Sequence, residues 1–333
     1  MSIAFLFPGQ GCQRVGMGKA FYDAQPTSRE VYDQADHTLG WPISKLCFEG
    51  PMETLSVTSN TQPAVLTTCL AQFRALGERP DAVAGHSLGE YTAHVAAGTL
   101  SLATAVRAVS ERGQYMQHAA GNAGGKMLAV IGSNAAALER ICAEADGLVQ
   151  VVNYNSPEQV VISGESAAVD FVCARLAEQR IRTIALATSA PFHTTMMRPA
   201  EHQLRRLLSS LPIAAPSIPV YANVDSSPVT TAGRASTTLA AQVSRPVLWA
   251  RTIQRMIADG VRLFVEVSPS RALAGMLAAI DPSVSCETLT SPKDLKRVQN
   301  AIRAARRRTH SNSRAGLREP PPHRLVDSRS SNV

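Results

Sequence analysis

The sequence predicts an α/β fold in which a small domain is inserted into a larger one. Short apolar segments alternate with helical stretches, a pattern typical of sheets covered by helices. Three apolar segments, at 3–7, 81–85 and 261–267, indicate buried strands, and a helical run begins at Arg271. A chain of 333 residues is long enough for one large domain with an insert.

The middle of the chain has a different order of elements from its flanks. After the glycine-rich residues 121–125, the pattern predicts strand, helix, strand, strand, helix and strand, the order of a ferredoxin-like unit. The predicted segments are 127–131, 134–145, 149–153, 159–163, 166–179 and 182–187. We therefore predict a small domain at 124–189, a large domain at 1–123 and 190–302, and a cleft between the two.

The net charge of +7 is concentrated at the end of the chain. Residues 303–333 contain eight arginines, no lysine and two acids, so this segment carries +6 and the rest of the chain +1. A nucleic-acid-binding fold needs its positive charge on a structured face, so no nucleic-acid partner is expected. The tail is rich in Arg, Ser, Asn and Pro, lacks periodicity, and is predicted to be disordered.

The chain is predicted to be cytoplasmic and not to enter a membrane. The first apolar run ends at Pro8 and has no basic region before it, which favours a strand over a signal peptide. No segment approaches the roughly 18 apolar residues that a membrane span requires. Six scattered cysteines without a C-x-x-C pair are typical of reduced core residues.

A candidate nucleophile lies between an apolar strand and a helix-forming run. The segment Gly85-His86-Ser87-Leu88-Gly89 fits the G-x-S-x-G pattern. Its glycines permit a tight turn that exposes the Ser87 hydroxyl, and the backbone N–H of Leu88 at the helix start is aimed at a developing oxyanion. An ordinary glycine turn before a helix is the alternative interpretation.

A serine nucleophile needs a base, and the chain offers eight histidines. His193 follows a predicted strand at the edge of the small domain, where the cleft should lie, and is the best candidate on position. His86 lies within the elbow and is expected to point away from the serine. His94 and His118 lie in helical stretches and are interpreted as surface or core-edge residues.

A third candidate is an arginine on the inner face of a predicted helix. Ser101 can cap a helix that runs to about Met116. At about 100° per residue, Arg112 falls at the edge of the apolar arc of that helix. A buried arginine must find an anion. The helical pattern leaves three interpretations open: a structural partner such as an Asp in the core, a side chain that extends to solvent, or a substrate carboxylate held by two parallel hydrogen bonds.

No cofactor and no metal are expected. The segment Gly9-Gln10-Gly11 has arginine where a dinucleotide-binding motif needs its third glycine, at position 14. No group of His, Cys and Asp has the spacing of metal ligands.

Taken together, the motifs resemble those of malonyl-CoA:acyl carrier protein transacylases and the related acyltransferases of polyketide synthases. The resemblance covers about residues 1–290, and the order of its motifs is more specific than any one of them. The motifs are Phe7-Pro8-Gly9-Gln10-Gly11, Thr61-Gln62-Pro63-Ala64, Gly85-His86-Ser87-Leu88-Gly89-Glu90-Tyr91, Arg112-Gly113 with Met116-Gln117, Asn155-Ser156-Pro157 and Pro191-Phe192-His193.

The resemblance implies a fold, a reaction and partners. The fold is an α/β-hydrolase-like large domain with an inserted ferredoxin-like small domain. The reaction moves a malonyl group from malonyl-CoA, through a serine ester, to the phosphopantetheine thiol of a holo acyl carrier protein. This ping-pong transfer serves fatty acid or polyketide synthesis, and the enzyme is expected to be a monomer.

The resemblance also implies roles for individual residues. Ser87 is the nucleophile and His193 its general base, oriented by a backbone carbonyl expected from residues 246–249. The backbone N–H groups of Gln10 and Leu88 form the oxyanion hole. The substrate-binding residues are Arg112, which holds the malonyl carboxylate, with Gln62, Asn155 and Phe192.

The pair Phe192-His193 resembles that of family members that choose malonyl over methylmalonyl, and the resemblance implies that the bulky Phe leaves little room for a branch methyl on the acyl group. One methyl in a pocket is worth about 1–3 kcal/mol, so malonyl should be preferred over methylmalonyl, but not absolutely.

Three rival functions are compatible with parts of the pattern. An acyl hydrolase that clears carrier-bound thioesters could use the same fold, but Arg112 favours a malonyl group over an uncharged chain. The acyltransferase subunit of a malonate decarboxylase would share the chemistry and use a different acceptor. A catalytically idle binding module would depend on the basic tail, and deletion of the tail would abolish binding only in that case.

Overall fold

The computed structural model describes residues 2–121, 124–188 and 190–315. Its strands are short and form two separate sheets. In chain order the strands are β1 Ser2–Phe7, β2 Ala82–Gly85, β3 Lys126–Ile131, β4 Val149–Ser156, β5 Gln159–Gly164, β6 Arg182–Ala185, β7 Val220–Tyr221, β8 Pro228–Val229, β9 Val261–Val267 and β10 Ser285–Leu289.

The helices lie between these strands. They are α1 Lys19–Ala24, α2 Pro26–Leu39, α3 Ile43–Glu49, α4 Met52–Leu55, α5 Thr58–Leu76, α6 Gly89–Ala96, α7 Leu102–Ala120, α8 Ala135–Ala143, α9 Ser166–Glu178, α10 Arg198–Ser210, α11 Ala232–Ala241, α12 Trp249–Ala258, α13 Ala274–Ile280 and α14 Leu295–Ala315. Three short 3₁₀ helices, Thr195–Met197, Gln242–Ser244 and Pro292–Asp294, complete the set within the described residues.

The larger sheet has the strand order β10-β9-β1-β2-β7-β8 and is parallel except for β8 at its edge. Successive side chains of a strand point to opposite faces. On β1, Ile3, Phe5 and Phe7 therefore enter a core shared with α5 and α7, whereas Ala4 and Leu6 enter a core shared with α12 and α13. Helices on both faces of a mostly parallel sheet confirm the predicted mixed α/β class.

The smaller sheet is antiparallel, with the strand order β4-β5-β3-β6. Its elements follow one another as β3, α8, β4, β5, α9 and β6, which is the predicted order. Helices α8 and α9 pack on one face of the sheet around Leu138, Val172 and Leu176, a core separate from the two cores of the larger sheet.

The two sheets are joined at β4. Tyr154 donates its backbone N–H to the carbonyl of Val247 at 2.9 Å, and Val247 donates to the carbonyl of Val152 at 2.8 Å. These bonds tie the small sheet to the segment that follows the 3₁₀ helix at Gln242–Ser244. The contact brings the edge of the small sheet beside the carboxyl ends of β1 and β2, where ligands bind in sheets of this kind.

The end of the chain differs in part from the prediction. A disordered tail was expected from residue 303, but α14 continues to Ala315, so residues 303–315 are helical. Helix α14 buries Val298 and Ile302 against the large core, an apolar pair that the arginine-rich composition conceals. Residues 316–333 lie outside the described residues. In the part of the chain that the structure describes, no helix is both long and apolar enough to cross a membrane.

Candidate active site

The nucleophile elbow is built by close backbone packing. Strand β2 ends at Gly85 and helix α6 begins at Gly89. A Cβ on Gly85 would overlap the Gly89 carbonyl group, and a Cβ on Gly89 would overlap the carbonyl of Phe7 at the end of β1. Ser87, between the two glycines, has a φ of 51°, a strained value for a residue with a side chain. The turn therefore requires both glycines and presents the serine at its tip.

His193 lies against the serine in the geometry of a general base. Its Nε2 is 2.8 Å from Ser87 Oγ, and its Nδ1 is 2.7 Å from the carbonyl oxygen of Gln242 and 3.2 Å from that of Arg245. Because carbonyl oxygens only accept, Nδ1 carries the proton and Nε2 accepts the hydroxyl hydrogen. The expectation that residues 246–249 provide the orienting carbonyl was wrong, because the chain turns back towards the imidazole earlier, at the 3₁₀ helix Gln242–Ser244.

The imidazole is held in its neutral form. Burial, and then the nearby charge of Arg112, lower the pKa of His193 to about 3, although the carbonyls of Gln242 and Arg245 act in the opposite direction. A neutral imidazole at physiological pH can accept a proton at once. An anion bound to Arg112 would remove part of the charge that opposes protonation of His193.

Arg112 is buried without a carboxylate partner. Only 1% of it is exposed, and its Nη1 donates to Gln62 Oε1 at 2.8 Å. Nη2 donates to Gln242 Oε1 at 2.7 Å and to Ser87 Oγ at 3.2 Å. Among the described residues no ion pair includes Arg112, and its Nε–H has no hydrogen-bond acceptor. The structural Asp that the sequence left open is not found there. Among the described residues the guanidinium therefore has no carboxylate in direct contact, and it lies beside the serine oxygen.

A cavity of about 400 Å³ opens over these groups. Backbone N–H groups of Gln10 and Leu88 donate to no oxygen among the described residues, which leaves them available at the wall. Phe192 lines the same cavity. The residues that line the cavity include Gln10, Gln62, Ser87, Leu88, Arg112, Met116, Asn153, Phe192 and His193. Seven of the eight site residues named from the sequence therefore meet around one cavity.

Asn155 is the exception. It is 3% exposed, its Oδ1 lies 2.8 Å from His86 Nε2, and Asn153 takes the place on the cavity wall. The cause is the course of β4, whose pairing with β5 is irregular between Val151 and Ser156. The position of Asn155 supports a role in holding the small sheet against the elbow, not one in binding substrate. The ring of His86 is engaged by Asn155 and packs edge-on against Trp249.

His94 was interpreted as a surface or core-edge residue, and this was wrong. It is fully buried, and neither ring nitrogen has a hydrogen-bond partner among the described residues. The reason is the position of α6 beneath the elbow, enclosed by α5, α7 and the large sheet, so that even its polar residues are buried.

Three functional positions were missed by the sequence analysis. Asn223 clamps the elbow, because its Oδ1 accepts the backbone N–H of Ser87 at 2.6 Å and its Nδ2 donates to the Gly85 carbonyl at 2.7 Å. Gln242 holds both His193 and Arg112, as described above. Glu90 is fully buried and accepts hydrogen bonds from the backbone N–H of Asn223 and the side-chain amide of Gln242. Only Glu90 had a detectable signal, a carboxylate directly after the elbow motif; the other two lie more than 130 residues away in the chain.

Known proteins match both the sequence and the fold. The family profile described as acyl transferase domain matches residues 4–313. The malonyl CoA-acyl carrier protein transacylase of Bacillus subtilis (strain 168) is 39% identical over 302 residues, which cover 88% of this chain and 95% of that protein. The acyl-carrier-protein S-malonyltransferase of Burkholderia pseudomallei 1710b superposes with a TM-score of 0.88 at 38% identity, over 90% of this chain and 100% of that one.

A further solved structure is a malonyl-transacylase in complex with the acyl-carrier protein of a type II polyketide synthase. It has a TM-score of 0.88 and 33% identity, over 90% of this chain and 100% of that one. Both the length of the matches and their sequence identity exceed what a shared fold alone would give. The chain belongs to the acyl transferase domain family and, within it, to the malonyl-CoA:acyl carrier protein transacylases.

Proposed function

We propose that the protein moves a malonyl group from malonyl-CoA to the phosphopantetheine thiol of a holo acyl carrier protein, in fatty acid or polyketide synthesis. The transfer proceeds through a malonyl ester of Ser87. The observation that carries the proposal is the buried guanidinium of Arg112, 3.2 Å from the nucleophile oxygen and without a carboxylate partner among the described residues. A group that offers both an acyl carbon and a carboxylate fits this pair.

In the first half-reaction, Ser87 Oγ attacks the thioester carbonyl while His193 Nε2 takes the hydroxyl proton. The backbone N–H groups of Gln10 and Leu88 stabilise the oxyanion of the tetrahedral intermediate. Collapse of the intermediate breaks the C–S bond, and the departing thiolate of coenzyme A takes the proton from His193. The product is a malonyl ester on Ser87 and free coenzyme A.

The second half-reaction reverses the roles of the groups. The phosphopantetheine thiol gives its proton to His193 Nε2 and attacks the ester carbonyl. When the C–O bond breaks, His193 returns the proton to Ser87 Oγ. The enzyme is regenerated, and the malonyl thioester leaves on the carrier protein.

Arg112 selects the acyl group. Its planar guanidinium can hold both oxygens of a carboxylate, and the surrounding burial strengthens that interaction. Gln62 fixes one end of the guanidinium, and Phe192 limits the space for a branched acyl chain. A malonyl group bound in this way places its thioester carbonyl at Ser87.

We also propose a division of the chain into an α/β-hydrolase-like domain at 1–123 and 190–302 and a ferredoxin-like domain at 124–189. The parallel sheet with its serine elbow supports the first assignment, and the β4-β5-β3-β6 order supports the second. A cytoplasmic monomer that binds no nucleic acid stays a prediction. All six cysteines are unpaired, which supports a reducing compartment.

The test is mass spectrometry of the protein after incubation with malonyl-CoA. One malonyl mass should be added to the wild type and none to Ser87→Ala. His193→Ala should slow the addition by about 10²–10⁴-fold, the usual effect of losing a general base. Addition of a holo carrier protein should then remove the label and transfer it to the carrier.

Ser226→Ala is a matched control, because Ser226, like Ser87, is a serine with positive φ, at 62°, but lies outside the cavity. It should label like the wild type. Labelling that survives Ser87→Ala would remove Ser87 from the mechanism. An apo carrier protein, which lacks the thiol, should accept nothing.

A further inference from the structure

One buried carboxylate connects the elbow, the base and the arginine behind the cavity wall. Glu90 lies on α6, three residues after Ser87, and is fully buried. Its Oε2 accepts from Gln242 Nε2 at 2.9 Å and from the backbone N–H of Asn223 at 3.1 Å. Gln242 Oε1 in turn accepts from Arg112 at 2.7 Å. A single amide therefore separates the carboxylate from the guanidinium.

The two ends of the Gln242 amide have opposite requirements. A guanidinium has donors only, so the amide must turn its oxygen towards Arg112. The NH₂ group is then directed at Glu90, which must accept. The amide also donates weakly, at 3.3 Å, to the Ser87 carbonyl. If Glu90 offered no acceptor, only the weak bond to the Ser87 carbonyl would hold the NH₂ group, and the amide could leave Arg112 for another rotamer.

We propose that Glu90 is a positioning residue for acyl-group selection: it fixes the amide of Gln242 and thereby holds Arg112 in the orientation that receives the substrate carboxylate. The inference rests on the proposed malonyl transfer. Glu90 does not line the cavity, so it acts on the acyl group only through Gln242 and Arg112.

The arrangement tolerates both protonation states of Glu90. Burial raises the pKa of Glu90 to about 8, against the opposing effects of the Asn223 N–H, the charge of Arg112 and the Gln242 amide. Oε1 is buried and has no hydrogen-bond partner among the described residues. A proton on Oε1 leaves Oε2 free to accept, so the amide keeps its orientation in the neutral acid. Glutamine at position 90 has a carbonyl that can accept in the same place, so Glu90→Gln should preserve the orientation of the Gln242 amide.

The experiment compares Glu90→Leu and Glu90→Gln in the full chain. For each variant, kcat and KM are measured with malonyl-CoA and with acetyl-CoA, which lacks the carboxylate. In Glu90→Leu we expect KM for malonyl-CoA to rise about tenfold or more and the malonyl-to-acetyl ratio of kcat/KM to fall by the same factor. In Glu90→Gln the ratio should stay within about threefold of the wild type.

A fluorophosphonate without a carboxylate reports the serine and its base separately. It should label Ser87 at similar rates in the wild type and both variants, since His193 is held by the backbone carbonyl of Gln242 and not by its side chain. Thr92→Val is the matched control on the same helix, because Thr92 is buried and its hydroxyl has no partner among the described residues. It should leave the ratio unchanged.

Gln242→Leu breaks the same hydrogen-bond chain between Glu90 and Arg112 at its middle residue, and it tests the inference if Glu90→Leu does not fold. It too should lower the malonyl-to-acetyl ratio about tenfold, and the double variant should be no worse than either single one. An unchanged ratio in Gln242→Leu, or equal loss of malonyl transfer, acetyl transfer and probe labelling in Glu90→Leu, would overturn the inference. A malonyl-to-acetyl ratio that falls as far in Glu90→Gln as in Glu90→Leu would also overturn it. A wild type that transfers no malonyl would instead refute the proposed function.

Discussion

At the scale of single residues, the site combines strain with hydrogen bonds that hold it. Ser87 and His193 both have positive φ, at 51° and 64°, which residues with side chains rarely adopt. Each such residue costs about 1–3 kcal/mol and persists only where its surroundings enforce it. Asn223 holds the backbone of Ser87, and Gln242 holds the ring of His193. The nucleophile and base are therefore placed before any substrate arrives.

Arg112 affects the same pair electrostatically. After burial, its charge is the largest effect that lowers the pKa of His193, and together the two keep the base neutral. A carboxylate on Arg112 would offset that charge and make His193 a better proton acceptor. An acyl group that lacks the carboxylate would gain neither the contact nor this effect, so one residue favours malonyl in two ways.

The Arg112→Ala variant tests this residue. Malonyl transfer should fall by about 10²-fold, because truncation of one partner of a buried charge pair costs about 2–5 kcal/mol. Acetyl transfer should be equal or faster. Arg112→Lys should recover little, since one ammonium cannot reproduce the planar fork. The measurement is the ratio of acetyl to malonyl transfer rates, beside a melting curve. An unchanged ratio with a collapsed melting temperature would make Arg112 a structural residue.

At the scale of elements, the position of Arg112 depends on how closely α7 approaches α5. Gly113 follows the arginine on α7, and a Cβ there would lie 2.5 Å from Ser59 Cα and 2.9 Å from the Thr58 carbonyl oxygen. These are backbone atoms, which cannot move aside as a side chain can. Because α5 also supplies Gln62 to the guanidinium, the spacing of the two helices sets the geometry of the carboxylate site.

Gly113→Ala should therefore destabilise the protein by about 1–3 kcal/mol, the usual cost of overpacking. It should also weaken malonyl transfer more than acetyl transfer, because the added methyl group displaces α7 and its arginine. Gly275→Ala is the matched control. Gly275 lies within α13 with open space around its Cα, so alanine should stabilise the helix by about 0.5–1 kcal/mol. Urea unfolding measures whether the free energy of unfolding falls in Gly113→Ala and rises in Gly275→Ala. Destabilisation of equal size in both variants would refute the packing argument.

At the scale of the whole molecule, local patterns predicted what depends on neighbours in the chain. The alternation of strands and helices predicted the two-sheet α/β architecture, and the glycines of the elbow predicted the tight turn that presents the serine to the cavity. Helical periodicity predicted the inward side of Arg112. Each of these properties arises within about 20 consecutive residues, where period and turn chemistry are decisive.

Contacts between distant segments had no such signal. The carbonyl that orients His193 comes from Gln242, about 50 residues away, and was expected a few residues later in the chain. Asn155 meets His86 because the small sheet docks on the elbow, which no local pattern encodes. Helix α14 was hidden because its buried side is only a few apolar residues among many arginines.

The last consequence concerns stability and pH. His94 is fully buried with neither ring nitrogen bonded to a described residue, and burial lowers its pKa to about 3. In the unfolded chain an ordinary histidine has a pKa near 6.5. Between these two values the unfolded state therefore binds more protons than the folded state, so the free energy of unfolding falls as the pH falls from about 6.5 towards 3. Glu90, whose pKa burial raises from 4.5 to about 8, contributes with the opposite sign between those two values.

His94→Leu isolates the contribution of the histidine, because every other titrating group is common to both chains. The difference in free energy of unfolding, His94→Leu minus wild type, should be about 2 kcal/mol larger at pH 5 than at pH 8. Urea unfolding at the two pH values measures the difference. Thr99→Val is the control, since it removes a buried hydroxyl that has no partner among the described residues and does not titrate, so its effect should be equal at both pH values. A His94→Leu effect that is also equal at both would mean that this imidazole can be protonated within the fold, so the core around α6 must admit charge or water at pH 5.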